Sequence, residues 1–315
     1  EDWIPKKIYD CHIHMLNNAL INDESEHKNI FPDADLKVIN EWHNILFPGR
    51  EINNLFLGRP ALGTNIQAYN DFLSKEINSN KLTRSHRLTT PSDSLKDIEN
   101  DIKNKGFQGL KVYRMYSVTG DIANCVIEDY LPHEQLELAN DLGLWVTLHM
   151  SREDGCGDEE NLKDLENFTT KKYPNIKWIL AHVARSFTYR PIQRGIDTLK
   201  NLPNIWYDLS AVTDIRPFIT LFKNENHKRF FYGTDGIESV SFHGSYTTFA
   251  HAHNQIETDN IESLKFLHTT NRPVICLYEN LIAIKQAAIF CELNREQIED
   301  IFWKNAVREF NVPWD

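Results

Sequence analysis

The chain is poor in the features that stabilise small secreted domains or hold a protein in a membrane. Its 315 residues include five cysteines, Cys11, Cys125, Cys156, Cys276 and Cys291, scattered and never in a Cys-x-x-Cys pair. That argues against a disulfide framework and favours a reducing, cytoplasmic compartment. Export stays open, because the first residue is Glu1 and not Met. No apolar run is long enough to span a bilayer; the nearest, 281–293, is broken by Lys285 and Gln286. Cations are also scarce, with 34 Lys plus Arg against 45 Asp plus Glu and a net charge of −11. An acidic surface disfavours nucleic acid and anionic membrane as partners, since both need clustered positive charge. It leaves room for a small anionic substrate held by a few local arginines. Repeats, low-complexity segments and a linker are absent, so the chain reads as one domain over 1–315. Its oligomeric state is open, with a homodimer the expectation by frequency alone.

What is present is alternation. Short apolar runs at 7–12, 55–58, 85–89, 109–112, 145–149, 178–182, 205–209 and 229–233 have strand length. Amphipathic stretches lie between them at 66–77, 94–105, 134–142, 162–173, 192–199 and 215–222. Pro91-Ser92-Asp93 marks a helix start and Gly106 a stop, while Asn294 to Gln297 reads as a capping box. Alternating strand and helix units imply a parallel sheet, and eight of them imply a (β/α)8 barrel. Helices at 261–268, 278–293 and 295–310 read as the last barrel helix plus a C-terminal helical extension. Two long loops, 15–54 and 114–132, follow strands on the side where substrate lids sit.

The ends of these strands carry the chemistry. His12 and His14 close the first run, and residues two apart on a strand point to one face. Lys111 ends the fourth run, His149 the fifth and His182 the sixth, and Asp235 lies just past the eighth. Barrel active sites are built at that rim from different strands. Imidazole with carboxylate suits zinc, manganese or iron, zinc first. Arg59, Arg114, Arg152 and Arg185 follow rim strands and can bind a substrate carboxylate bidentately. Tyr113 and Tyr116 can add a polar aromatic wall. A second His-x-His, His251 and His253, has no β-branched run leading into it; a substrate contact is its best role, as for His243.

The ordered set Tyr9 to His14, Gly106 to Lys111, Leu148-His149, Pro174 to His182, Tyr207 to Ser210, Tyr232 to Asp235 and Glu299 to Ala306 resembles the amidohydrolase superfamily. It is closest to the amidohydrolase-related branch, which holds metal-dependent hydrolases and aminocarboxymuconate-semialdehyde and resorcylate decarboxylases. The resemblance implies that His12, His14, His149 and Asp235 hold one divalent metal and that His182 is the catalytic imidazole, polarising a substrate oxygen or acting as acid. Asp235 would also take a proton from the attacking water. The same resemblance allows three roles for Lys111: a bridging carbamate, a substrate-facing ammonium or a structural ion pair. The leading expectation is hydrolysis of an amide, ester or lactone of a small carboxylate-bearing substrate through a metal-activated water. Non-oxidative decarboxylation of an aromatic or muconate-type acid is the alternative, and a non-catalytic metal protein the third.

Overall fold

In a computed structural model of the chain, the described residues are 3–241, 246–249, 252–255 and 275–314. Eight parallel strands run in sequence order: β1 Lys7–His14, β2 Glu51–Leu57, β3 Arg84–Thr89, β4 Gly109–Tyr113, β5 Trp145–His149, β6 Lys177–Leu180, β7 Ile205–Asp208 and β8 Phe230–Phe231. The Cys11 amide donates to the Tyr232 carbonyl at 2.8 Å and the Asp235 amide to the His12 carbonyl at 2.7 Å, drawing the eighth strand onto the first. The result is the expected (β/α)8 barrel. Among the described residues no helix is long and apolar enough to cross a membrane.

Local chemistry sets the helix limits. Ser94 accepts from the Asp97 amide to open Leu95–Lys105, and Gly106, at φ 82, closes it in the left-handed region that glycine enters freely. Asn294 and Gln297 form the reciprocal capping box. The helix they open continues through a wider π-type turn, Asp300–Lys304, to Glu309. Its far end feeds Phe310, Val312 and Trp314 into a buried cluster with Tyr9, Trp145 and Phe231, which closes the N-terminal mouth of the barrel. Arg84 ties this tail down by donating to the carbonyls of Phe310 at 3.2 Å and Asn311 at 2.8 Å.

Several boundaries differ from the sequence expectations. β2 starts at Glu51 and not at 55, because its polar first half pairs in register with β1, Lys7 to Glu51 through Asp10 to Asn54. β6 stops at Leu180, two residues short of His182. The expected helix 162–173 starts earlier, at Glu159, because Asp158 accepts from the Glu160 and Asn161 amides and caps it. The helix expected at 278–293 spans Cys276–Phe290. The expected helix at 261–268 lies outside the described residues. Residues Ala252–Gln255 form a strand, antiparallel to Tyr246–Phe249. His253 therefore does have a strand beneath it, contrary to the sequence reading, because pairing with a neighbouring strand supplies what its own residues lack in β preference.

One close contact inside the barrel is testable. A Cβ on Gly109 would lie 2.4 Å from the Trp145 carbonyl oxygen and 2.7 Å from its Cβ. Gly109→Ala should cost about 1–3 kcal/mol, the usual range for overpacking, as read by urea unfolding.

Candidate active site

His12 and His14 project from the C-terminal end of β1, where the ladder register slips between Asp10 and Ile13. Their rings meet edge to face, centroids 5.1 Å apart. Each ring is held through Nδ1. That of His12 lies 2.5 Å from Asp208 Oδ2 at the end of β7, and that of His14 lies 3.0 Å from the Leu57 carbonyl at the end of β2. Both partners are acceptors, so each Nδ1 carries a proton and each Nε2 is the nitrogen left to face the site. Those two Nε2 atoms face a single oxygen, Asp235 Oδ1, at 3.4 and 3.6 Å. Asp235 gets there through a left-handed turn at φ 63, after Thr234 is anchored by its amide (2.9 Å) and hydroxyl (2.5 Å) to the buried Asp10.

His182 lies just past β6 in a turn unlike any expected from sequence. His182, Val183, Ala184 and Arg185 all have positive φ, 56°, 53°, 54° and 59°. The turn swings the His182 ring flat against His12, centroids 4.8 Å apart, and edge-on to His149 at 5.2 Å. His149 ends β5 as expected. Its ring is in neither of the two close groups of ligand atoms among the described residues, His12–His14–Asp235 and His12–His182–Asp208. Burial pushes the His182 pKa down to about 4 and those of His12 and His149 well below the ordinary value. All three imidazoles are therefore neutral at neutral pH, the state in which imidazole ligates a metal.

Two imidazole nitrogens and a carboxylate oxygen converging in a mostly buried site are stabilised by positive charge among them, whether a proton or a bound cation. This donor set, two imidazoles and a carboxylate with His149 and His182 nearby, fits a divalent ion of the zinc, manganese or iron type.

Lys111, on β4, is fully buried, and its Nζ has no hydrogen-bond partner among the described residues. It sits 4.6 Å from the Tyr113 ring centroid. Among the described residues no carboxylate pairs with it, so the structural ion pair, one of its three expected roles, is not seen there. Burial lowers its pKa from 10.5 to about 8, opposed by Asp208, Asp235 and Glu238.

The arginines divide into two kinds. Arg59 is buried, with its Nε 2.9 Å from Glu238 Oε1 and its guanidinium over the Phe31 ring, so its charge is already matched. Arg152 lies 3.6 Å from Asp158. Arg114 and Arg185 instead donate to backbone carbonyls, Ile122 at 2.9 Å and Arg152 respectively. Among the described residues neither is paired with a carboxylate. Burial and the neighbouring Arg114 lower the Arg185 pKa to about 10, and both cations act on His149. The Tyr113 hydroxyl donates to the Gly58 carbonyl at 3.0 Å and the Tyr116 hydroxyl to that of Ala61 at 3.2 Å. His243 and His251 lie outside the described residues. Sequence reasoning passed over Asp208, although its run Tyr207 to Ser210 stood out; a carboxylate ending a barrel strand was the available signal.

The family model for Amidohydrolase matches residues 84–312. The chain belongs to the amidohydrolase family, a family of enzymes. No curated protein matches it. Among solved structures this amidohydrolase is similar to a probable 2-pyrone-4,6-dicarboxylic acid hydrolase from Acinetobacter baumannii with citric acid bound, at 14% identity and TM-score 0.63, over 96% of this chain and 99% of that one. A dihydroxybenzoic acid decarboxylase from Polaromonas sp. JS666, with bound manganese and an inhibitor, matches at 14% identity and TM-score 0.58, over 98% of each chain. The 5-carboxyvanillate decarboxylase of Sphingomonas paucimobilis matches at 12% identity and TM-score 0.58, over 98% of this chain and 100% of that one. At these identities the likeness is one of fold.

Two outcomes follow from the geometry of this amidohydrolase. After loading with zinc or manganese and dialysis, the wild type should retain about one equivalent of metal, with His12→Ala and His14→Ala losing it, as measured by elemental analysis. Unchanged metal content in both variants would refute the site. Lys111 supplies the second. Between about pH 8 and 10.5 the unfolded chain holds the Lys111 proton and the folded chain does not, so its contribution to stability rises with pH. The stability of metal-free wild type relative to Lys111→Met should improve across that window in urea unfolding. A flat difference would mean that Nζ is solvated.

Proposed function

We propose that this amidohydrolase hydrolyses an amide, ester or lactone bond in a small substrate that carries a carboxylate. The observation that carries the reading is the convergence of His12 Nε2, His14 Nε2 and Asp235 Oδ1, together with two arginines that act on His149 and have no acidic partner among the described residues. In this reading His12, His14, His149 and Asp235 hold one divalent ion, zinc first, with manganese or iron as alternatives. Such an ion supplies Lewis-acid activation of water and of a carbonyl oxygen. Asp235 accepts the proton of the attacking water at its carboxylate. Arg114 and Arg185 bind the substrate carboxylate on the His149 side, which directs the scissile bond toward Asp235 and His182. Burial of His12, His14, Lys111 and His182 keeps bulk water from the reacting atoms and strengthens these charge interactions.

The same residues can serve decarboxylation, with the arginine-bound carboxylate as the leaving group. A purely structural metal would not require His182 as an additional imidazole. The deciding experiment sets proton release from 2-pyrone-4,6-dicarboxylate and simple lactones against carbon dioxide release from 2,6-dihydroxybenzoate and 5-carboxyvanillate. Hydrolysis without carbon dioxide release is the expected result. Carbon dioxide release alone would transfer the assignment to the decarboxylases, and turnover of neither by metal-replete protein would favour the non-catalytic reading. For a carboxylated substrate that is turned over, Arg114→Met or Arg185→Met should raise KM by roughly 10- to 100-fold, the worth of one charge-assisted hydrogen bond. For Arg59→Met we expect no comparable KM effect, because Arg59 is matched by Glu238.

A further inference from the structure

Ring packing fixes the plane of His182 and leaves open which nitrogen carries its proton. The ring lies between His12, centroids 4.8 Å apart at 27°, and Phe187, 5.4 Å at 30°. The hydrogen-bond acceptors on one edge decide the rest. His182 Nδ1 is 3.0 Å from Ser210 Oγ and 3.3 Å from the Ser210 carbonyl oxygen. A carbonyl oxygen can only accept. The Ser210 hydroxyl has one proton, and it points to Asp208 Oδ2 at 2.9 Å, so Oγ offers only lone pairs to the ring. Ser210 cannot readily turn away, because its own amide donates to Asp208 Oδ1 at 2.8 Å and the residue is fully buried.

We infer that Ser210 is a positioning residue that holds His182 in its Nδ1–H form and leaves Nε2 as the unprotonated nitrogen. The chain of donors runs from His182 Nδ1 through Ser210 Oγ to Asp208, the carboxylate that also accepts from His12 Nδ1 at 2.5 Å. One buried acid therefore aligns the candidate ligand His12 and the imidazole next to it. His182 presents a hydrogen-bond acceptor at Nε2. This replaces the expectation from sequence that it donates a proton or polarises a substrate oxygen. The consequence for catalysis rests on the proposed hydrolase reading, whereas the tautomer itself requires no substrate to test.

The test uses full-length protein labelled with 15N-histidine, both metal-free and zinc-loaded, with the His182 signals assigned by their loss in His182→Gln. Nitrogen–proton correlation spectra should show the Nδ1–H form in the wild type and in Ser210→Thr, which keeps the hydroxyl. Ser210→Ala should give a mixture of tautomers, with melting temperature and zinc content retained. With any substrate that the wild type turns over, Ser210→Ala should lower kcat by about 10- to 100-fold with KM unchanged. An Nε2–H form in the wild type would overturn the inference. So would an unaltered tautomer in Ser210→Ala, or a zinc loss in that variant matching that of Asp208→Asn, which would mean that Ser210 acts on the ligand His12. A wild type that turns over no substrate would remove the hydrolase reading and leave the tautomer result standing.

Discussion

The carboxylate of Asp208 at the end of β7 is the contact on which the site depends. Its Oδ2 accepts from His12 Nδ1, the Ser210 hydroxyl and the His182 amide at 3.2 Å, and its Oδ1 accepts from the Ser210 amide. β1, the turn after β6 and β7 itself are therefore referred to two oxygens. A buried carboxylate is costly unless its lone pairs are met, and here donors from three elements meet them. The eighth strand must come close for this to work. A Cβ on Gly233 would lie 2.7 Å from both Asp208 Oδ1 and His12 Cβ, so only glycine lets the chain pass from β8 to Asp235 at that distance.

The turn after β6 carries strain that this arrangement offsets. Left-handed backbone costs roughly 1–2 kcal/mol per L-residue, and a β-branched residue such as Val183 is the least tolerant. Four consecutive residues adopt it here. The turn closes on itself through the Ser186 amide, which donates to the His182 carbonyl at 2.9 Å, and it buries Val183 and Ala184. The loop after β5 supports it from outside. Gly155 passes so close that a Cβ there would lie 3.0 Å from the Arg185 carbonyl, and Asn161 fixes that loop by donating to the carbonyls of Ser151 and Gly155. The turn delivers His182 to one side and Arg185 to the other, which a continuing strand or a right-handed helix would not do.

Charge is distributed on the same principle. The chain is acidic overall, at −11, yet near His149 it holds two arginines that, among the described residues, bond to backbone carbonyls and not to acids. Arg59, equally close in sequence to a rim strand, is neutralised by Glu238. A local excess of positive charge in a low-dielectric pocket attracts a small anion while the acidic exterior discourages polyanions.

Much of this could be read before the fold was known. Alternating runs of strand and helix length pointed to a (β/α)8 barrel more readily than to an open sheet, and polar residues ending apolar strands marked the rim. His12, His14 and Asp235 were legible for that reason, and the tertiary structure brings both imidazoles within 3.6 Å of the carboxylate. The roles of Asp208 and Ser210 were not legible, because their partners lie 196 and 28 residues away. Nor could sequence separate Arg59 from Arg114 and Arg185, because an arginine's availability depends on whether an acid reaches it across the barrel. The left-handed turn was hidden as well: no residue in Ala181 to Ser186 is a glycine or an asparagine that would announce it. Periodicity indicated the class of fold, and the residue types at the strand ends, with the family resemblance, indicated the kind of chemistry, because all of these are read locally along the chain. Only long-range packing decided which nitrogen, oxygen and guanidinium are left free to act.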